Sequence, residues 1–183
     1  MIFSEDARLL GLTPSLLTSL RRSLDRVLGD SAAQLLQEAG FTAGGDVYEA
    51  FKMWLAQKTD LRDPQDLDSD LLEEMLSGFF DETGWGTLSL ERIGSALAVD
   101  SNDWAEAEPD SRLPIASCNV STGILAALFG KLAGGTVSVM EVECRSRGDR
   151  SCRFLVGSNE TLDAVFNAIT QGQGYKEVLS PSN

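Results

Sequence analysis

Leu16, Leu20, Leu24, Val27, Leu28, Leu35 and Leu36 recur at three- and four-residue intervals, the spacing that lines one face of an α-helix. It predicts a helical stretch from about Thr13 to Ala39. Thr13 supplies the cap and Pro14 sits in the first turn, while Gly29-Asp30 offers a break and Gly40 a stop. A second helix is expected from Gly44-Gly45-Asp46, with Val47, Phe51, Trp54 and Leu55 on one face. The glycine pair reads as a helix start or as a place where another backbone comes close, a structural role in either case. After a charged loop containing Pro64, Leu72, Met75, Leu76 and Phe79 predict a third helix over about Ser69 to Thr83.

The period then changes from helical to alternating. G-W-G-T-L-S-L-E-R-I-G and S-A-L-A-V-D predict two short antiparallel strands. The acidic, proline-bearing run N-D-W-A-E-A-E-P-D-S-R-L-P reads as a surface connection. From Cys118 a stretch rich in small residues predicts a helix, with Val120, Ile124, Leu128 and Leu132 on its apolar face and Gly134-Gly135 at its end. Thr136 to Arg145 and Ser151 to Val156 predict a hairpin turning at Gly148-Asp149, and Asn159 to Thr170 a last helix. The fold class is therefore α+β, with helices packed on a mostly antiparallel sheet. One domain over 1–183 is expected, with a helical part over 13–83 and the sheet, hairpin and packing helices over 84–172.

Composition narrows the function classes. A chain of 183 residues with 43% hydrophobic content can bury a core without a metal or disulfide to rescue it. Its formal net charge of −13 repels phosphate backbones and anionic lipid, which argues against direct nucleic-acid binding or a membrane-surface role. No apolar run approaches the roughly 20 residues of a membrane span. The acidic start of the sequence has no secretory pattern, so a cytoplasmic location is expected. There is no histidine, which removes Ser-His-Asp and Cys-His nucleophile systems and the commonest catalytic zinc ligand. With no nucleotide-binding glycine loop either, a binding or sensory role is expected before an enzymatic one.

The chemistry concentrates in Cys118, Glu141, Cys144 and Cys152, which include every cysteine of the chain. Three thiolates and a carboxylate form a complete tetrahedral donor set for Zn²⁺, a closed structural site with no open position. Buried thiols that act as small hydrophobes, or a Cys144–Cys152 disulfide, are the competing readings. Arg145, Arg147, Arg150 and Arg153 surround the two downstream cysteines and are expected to offset the formal charge of such a site.

With C-N-V-S-T-G-I-L-A-A-L-F-G at 118–130, V-M-E-V-E-C at 139–144 and G-D-R-S-C-R-F at 148–154, the chain resembles the 4-vinyl reductase domain family. That family includes a bacteriochlorophyll biosynthesis protein and the sensory domains of aromatic-responsive bacterial activators. The resemblance implies a fold related to the small subunits of the TRAPP vesicle-tethering complex, able to enclose a hydrophobic small molecule. It assigns a structural Zn²⁺ to Cys118, Glu141, Cys144 and Cys152 in the order C-x22-E-x2-C-x7-C. Aromatic-responsive members hold a phenol-like ligand with a His and a Trp. This chain lacks the His, and Trp85 and Trp104 flank the first strand pair without reproducing that arrangement.

Candidate pocket residues are Phe41, Tyr48, Phe51, Trp54, Phe79, Phe80 and Trp85, since ligand sites combine aromatic walls with a few polar groups. The leading expectation is a zinc-stabilised small-molecule-binding or sensory domain that acts through a partner protein or as a homodimer paired by its N-terminal helices. A structural adaptor or assembly factor is the second reading. An accessory factor in tetrapyrrole pigment synthesis, suggested by the family name, is the third.

Overall fold

The computed structural model describes residues 11–179. Helix α1 (Pro14–Leu28) is capped by Thr13, whose side chain accepts from the Leu16 amide, and ends where Gly29 takes a positive φ of 56°. Helix α2 (Ser31–Lys58) then runs without interruption through Gly40, Gly44 and Gly45. The expected stop at Gly40 and second start at Gly44 are therefore corrected to one long helix. Each helical glycine forfeits about 1 kcal/mol relative to alanine, and packing outweighs that loss. A Cβ on Gly40 would lie 2.1 Å from the Val120 carbonyl oxygen, and one on Gly44 2.5 Å from the Ala127 Cβ. The partner is α4 (Asn119–Ala133), whose Gly123 returns the same contact, 2.1 Å from the Gln37 oxygen. Two helices at this separation touch through their backbones, and only glycine allows it.

Helix α3 (Ser69–Glu82) is capped by Asp68 and matches its predicted span to within a residue. The sheet has four antiparallel strands in the order β1-β2-β4-β3: β1 (Ser89–Ile93), β2 (Ala96–Ser101), β3 (Ser138–Glu143) and β4 (Cys152–Gly157). Both predicted hairpins form, and they join through β2 and β4. Alternation along these strands divides two cores. Val99, Phe154, Val156 and Cys152 face the cluster built by α2, α3 and α4. Ala96, Ala98, Val142 and Leu155 face α5 (Asn159–Thr170) and α6 (Tyr175–Leu179) on the opposite side.

The acidic connection between β2 and α4 departs from its expected surface course. Trp104 is 2% exposed and Glu106 is buried beside it. The Trp104 ring packs 5.4 Å from Phe80, 5.7 Å from Trp85 and 6.0 Å from Phe154, centroid to centroid. A tryptophan with this much apolar area to bury pulls its loop into the core despite the flanking charges. The short helix α6 also went unpredicted. Its register against the sheet is fixed by the Tyr175 hydroxyl, which donates to Glu143 at 2.5 Å.

Candidate metal centre and the groove beside it

Cys118 stands at the entrance of α4, Glu141 near the end of β3, Cys144 just after it and Cys152 at the start of β4. Their ligand atoms all lie within 4.8 Å of one another. The sulfur of Cys118 is 3.9 Å from those of both Cys144 and Cys152. Zn–S bonds of about 2.3 Å at tetrahedral angles would place sulfurs about 3.8 Å apart. All three cysteines are free and buried, and 3.9 Å is far beyond a disulfide bond.

A local irregularity makes the cluster possible. Residues three apart on a regular strand point to opposite faces of the sheet, so Glu141 and Cys144 should diverge. Instead Glu141 pairs with Phe154 and Glu143 with the adjacent Arg153, which leaves Val142 as an extra residue. Val142 packs toward α5 and Glu143 bonds Tyr175 on α6, so both lie on that side of the sheet. This β-bulge returns Cys144 to the side of Glu141. The turn at Arg145–Arg147 and Gly148, with φ 103°, then brings the chain back to Cys152.

The cluster's electrostatics call for a cation. One Glu141 oxygen accepts from the Cys118 amide at 2.9 Å, while the other is buried with no hydrogen-bond partner among the described residues. Burial, and next the Cys144 thiolate, push the Glu141 carboxyl up to about 8. Hydrogen bonds from Cys118 and Cys152 lower Cys144, and the bonds to Cys144 and Cys152 raise Cys118. For Cys152 the bond with Cys118 lowers its pKa, but the bond with Cys144 and burial together outweigh it and the thiol is raised. The protein alone thus favours one thiolate here, with the remaining donors competing for protons. A divalent cation allows all four to ionise and gives the orphaned Glu141 oxygen a partner. The donor set fits Zn²⁺ in number, softness and spacing.

The expected arginine shell is arranged differently. Arg153 forks onto Asp100 at 2.6 and 2.7 Å and reaches Glu91, while Arg147 engages Asp149 and the Val142 carbonyl. Backbone amides of Ser117 and Arg145 lower Cys144 and Cys152 respectively, so peptide dipoles approach the sulfurs directly.

The seven candidate pocket aromatics do not converge on one cavity. Phe51, Trp54, Phe79 and Phe80 are buried in a continuous run of ring contacts, with centroids 5.4 Å apart for Phe51–Phe79 and for Phe79–Phe80. Tyr48 is buried in the same cluster and Trp85 packs at its edge. Phe41 instead lies on the outer side of α2, 56% exposed. There it joins Thr42, Gly45, Ala126, Ala127, Lys131 and Val137 around a solvent-open cavity of about 620 Å³. A second cavity of about 440 Å³ shares Phe41, Thr42, Ala126 and Val137, so the two form one trough along the α2–α4 seam beside the edge strand β3. Sequence reading found Phe41 but missed the rest. The signal was the run of small residues on α4 facing glycines on α2.

With this geometry in view, the family comparison falls on the site itself. Residues 97–158 match the model of the 4-vinyl reductase domain. That segment, a third of the chain, runs from β2 to the end of β4 and contains all four cluster residues. The wider chain shares its fold with solved structures. The phenol-responsive sensory domain of the transcription activator PoxR, in complex with phenol, is 20% identical with a TM-score of 0.61, covering 83% of this chain and 77% of that one. A trafficking protein particle complex subunit 3 from Naegleria fowleri, covalently bound to palmitic acid, is 13% identical with a TM-score of 0.57, covering 79% and 93%. No curated protein matches the sequence. The segment matched by the family thus carries the cluster, while the trough draws half its wall from α2, outside the match.

Proposed function

We propose that this chain is a zinc-stabilised, small-molecule-binding sensory domain. Cys118, Glu141, Cys144 and Cys152 hold one structural Zn²⁺, which ties the entrance of α4 to the β3–β4 hairpin. The observation that carries the binding role is the trough along the α2–α4 seam. Its volume lies within the range of ligand sites, and its walls are apolar with a few polar groups (Thr42, Lys131 and Thr136) at hand. Ligands of matching chemistry are small hydrophobic or aromatic molecules, a reading supported by the shared fold with a phenol-responsive sensory domain. The domain works as a homodimer through α1, whose Leu16, Leu20 and Val27 remain exposed.

Gly45 provides the test, since a Cβ there meets nothing within 4 Å and points into open space at the trough. Gly45→Leu should keep or raise stability, because leucine is a better helix former by about 0.8 kcal/mol. It should also weaken binding of phenol and 4-alkylphenols at least about tenfold by calorimetry. Equal binding by both proteins would rule out the trough as the ligand site. If wild-type protein binds none of these probes, the structural-adaptor reading gains, and one observation already favours it: the interior aromatics are packed against one another around no enclosed ligand space.

A further inference from the structure

Helix α4 begins at a residue that cannot cap it. An N-terminal cap ordinarily accepts, through its own side chain, from the amides two or three residues on. Cys118 occupies that position with no side-chain capping bond, because its sulfur turns toward Cys144 and Cys152. The orphaned donors are the amides of Val120 and Ser121. Both are taken by one carboxylate from outside the helix. Glu106 accepts from Val120 at 3.0 Å through one oxygen and from Ser121 at 2.7 Å through the other, which also accepts from the Ser121 hydroxyl. Trp104, two residues before Glu106, donates from its indole nitrogen to that same hydroxyl at 2.7 Å. Two residues after it, the Glu108 amide donates at 2.8 Å to the Ser146 hydroxyl, in the turn that follows Cys144.

We propose that Glu106 is the positioning residue of the metal centre, a cap supplied from the β2–α4 connection that frees the Cys118 thiol to act as a ligand. The division of labour is physical. A serine or aspartate at position 118 would cap α4 but supply no sulfur. A cysteine supplies sulfur but leaves two buried amides without acceptors, each costing about 1–3 kcal/mol. Glu106 resolves the conflict and fixes the turn of α4 on which Cys118 stands. Its segment is also held in the core by Trp104 and at the hairpin turn by Ser146, so it spans both halves of the centre. Glu106 does not itself ligate, because its oxygens are occupied by the helix amides.

This inference rests on the metal reading above, and one experiment separates the two. Zinc affinity is measured by competition with a chromophoric chelator for wild type, Glu106→Ala and Glu106→Gln, alongside chemical unfolding of each protein with and without zinc. Wild type should bind one zinc. Glu106→Ala should bind it about ten- to a hundredfold more weakly, the usual cost of losing an outer partner of a ligand. The glutamine variant keeps the side-chain volume but can offer only one acceptor oxygen to the two amides, and should fall between. If Glu106 only supports the fold, zinc-bound and zinc-free forms lose equal stability and affinity stays within about twofold of wild type, which overturns the proposal and leaves the metal site standing. A wild type that takes up no zinc overturns both. If Glu106→Ala does not fold, the glutamine variant decides by the same criterion.

Discussion

At the residue scale, the four ligand candidates were legible by type and order, but the way they meet was not. E-x2-C on a strand is an odd spacing that sends the two side chains to opposite faces, so joint ligation by Glu141 and Cys144 requires a bulge between them. The structure puts it at Val142. Glu106 was hidden because an acidic loop in an acidic protein looks solvated, and only the buried Trp104 beside it reveals otherwise. Proton linkage follows from Glu141. Its carboxyl is raised from 4.5 to about 8 in the metal-free fold, so between those values the folded state holds a proton that the unfolded state has released. Its stabilising contribution is complete below about pH 4.5 and is lost as pH rises toward 8. Zinc must displace the same proton, so apparent affinity should climb across that window. Competition titrations at pH 6, 7 and 8 check this, with Glu141→Gln giving a shallower slope, and a flat profile would count against ligation by Glu141.

At the scale of elements, caps and strand alternation placed α1, α3, α5 and both hairpins close to where they lie. The failures share one cause. Gly40 looked like a helix stop because a single sequence does not show which neighbour a glycine admits, and here α4 approaches to backbone contact. Local propensity was overruled by packing against a helix some 80 residues away. Gly40→Ala, whose Cβ would meet the Val120 oxygen, should therefore destabilise the protein by about 1–3 kcal/mol or more. Gly45→Ala, five residues along the same helix with open space at its Cβ, should instead stabilise it by about 0.5–1 kcal/mol. Urea unfolding of the pair reads the difference directly. Equal effects of one sign would mean that α2 and α4 are not in contact as described.

For the whole molecule, α1 has one end tied down and one face left over. Arg21 is buried and pairs with Glu108 at 3.0 Å, which joins α1 to the segment that carries Glu106. On its other side Leu16, Leu20 and Val27 stay exposed, Val27 at 78%. A second copy related by two-fold symmetry would bury that stripe, and light scattering at micromolar concentration should give about twice the 19.7 kDa chain mass. Leu20→Glu should return the mass to that of one chain, and a wild-type mass near 19.7 kDa at every concentration would refute the dimer. No helix among the described residues is long and apolar enough to cross a membrane. The molecule thus has a metal cluster, a trough and an output face, all joined through α4 and the segment before it. The most direct test of that arrangement is the zinc content of protein purified under reducing, chelator-free conditions, compared with Cys144→Ser and Cys152→Ser. About one zinc per chain in wild type, lost with stability in both variants, is the predicted result; wild-type protein with less than about 0.2 zinc per chain would contradict it.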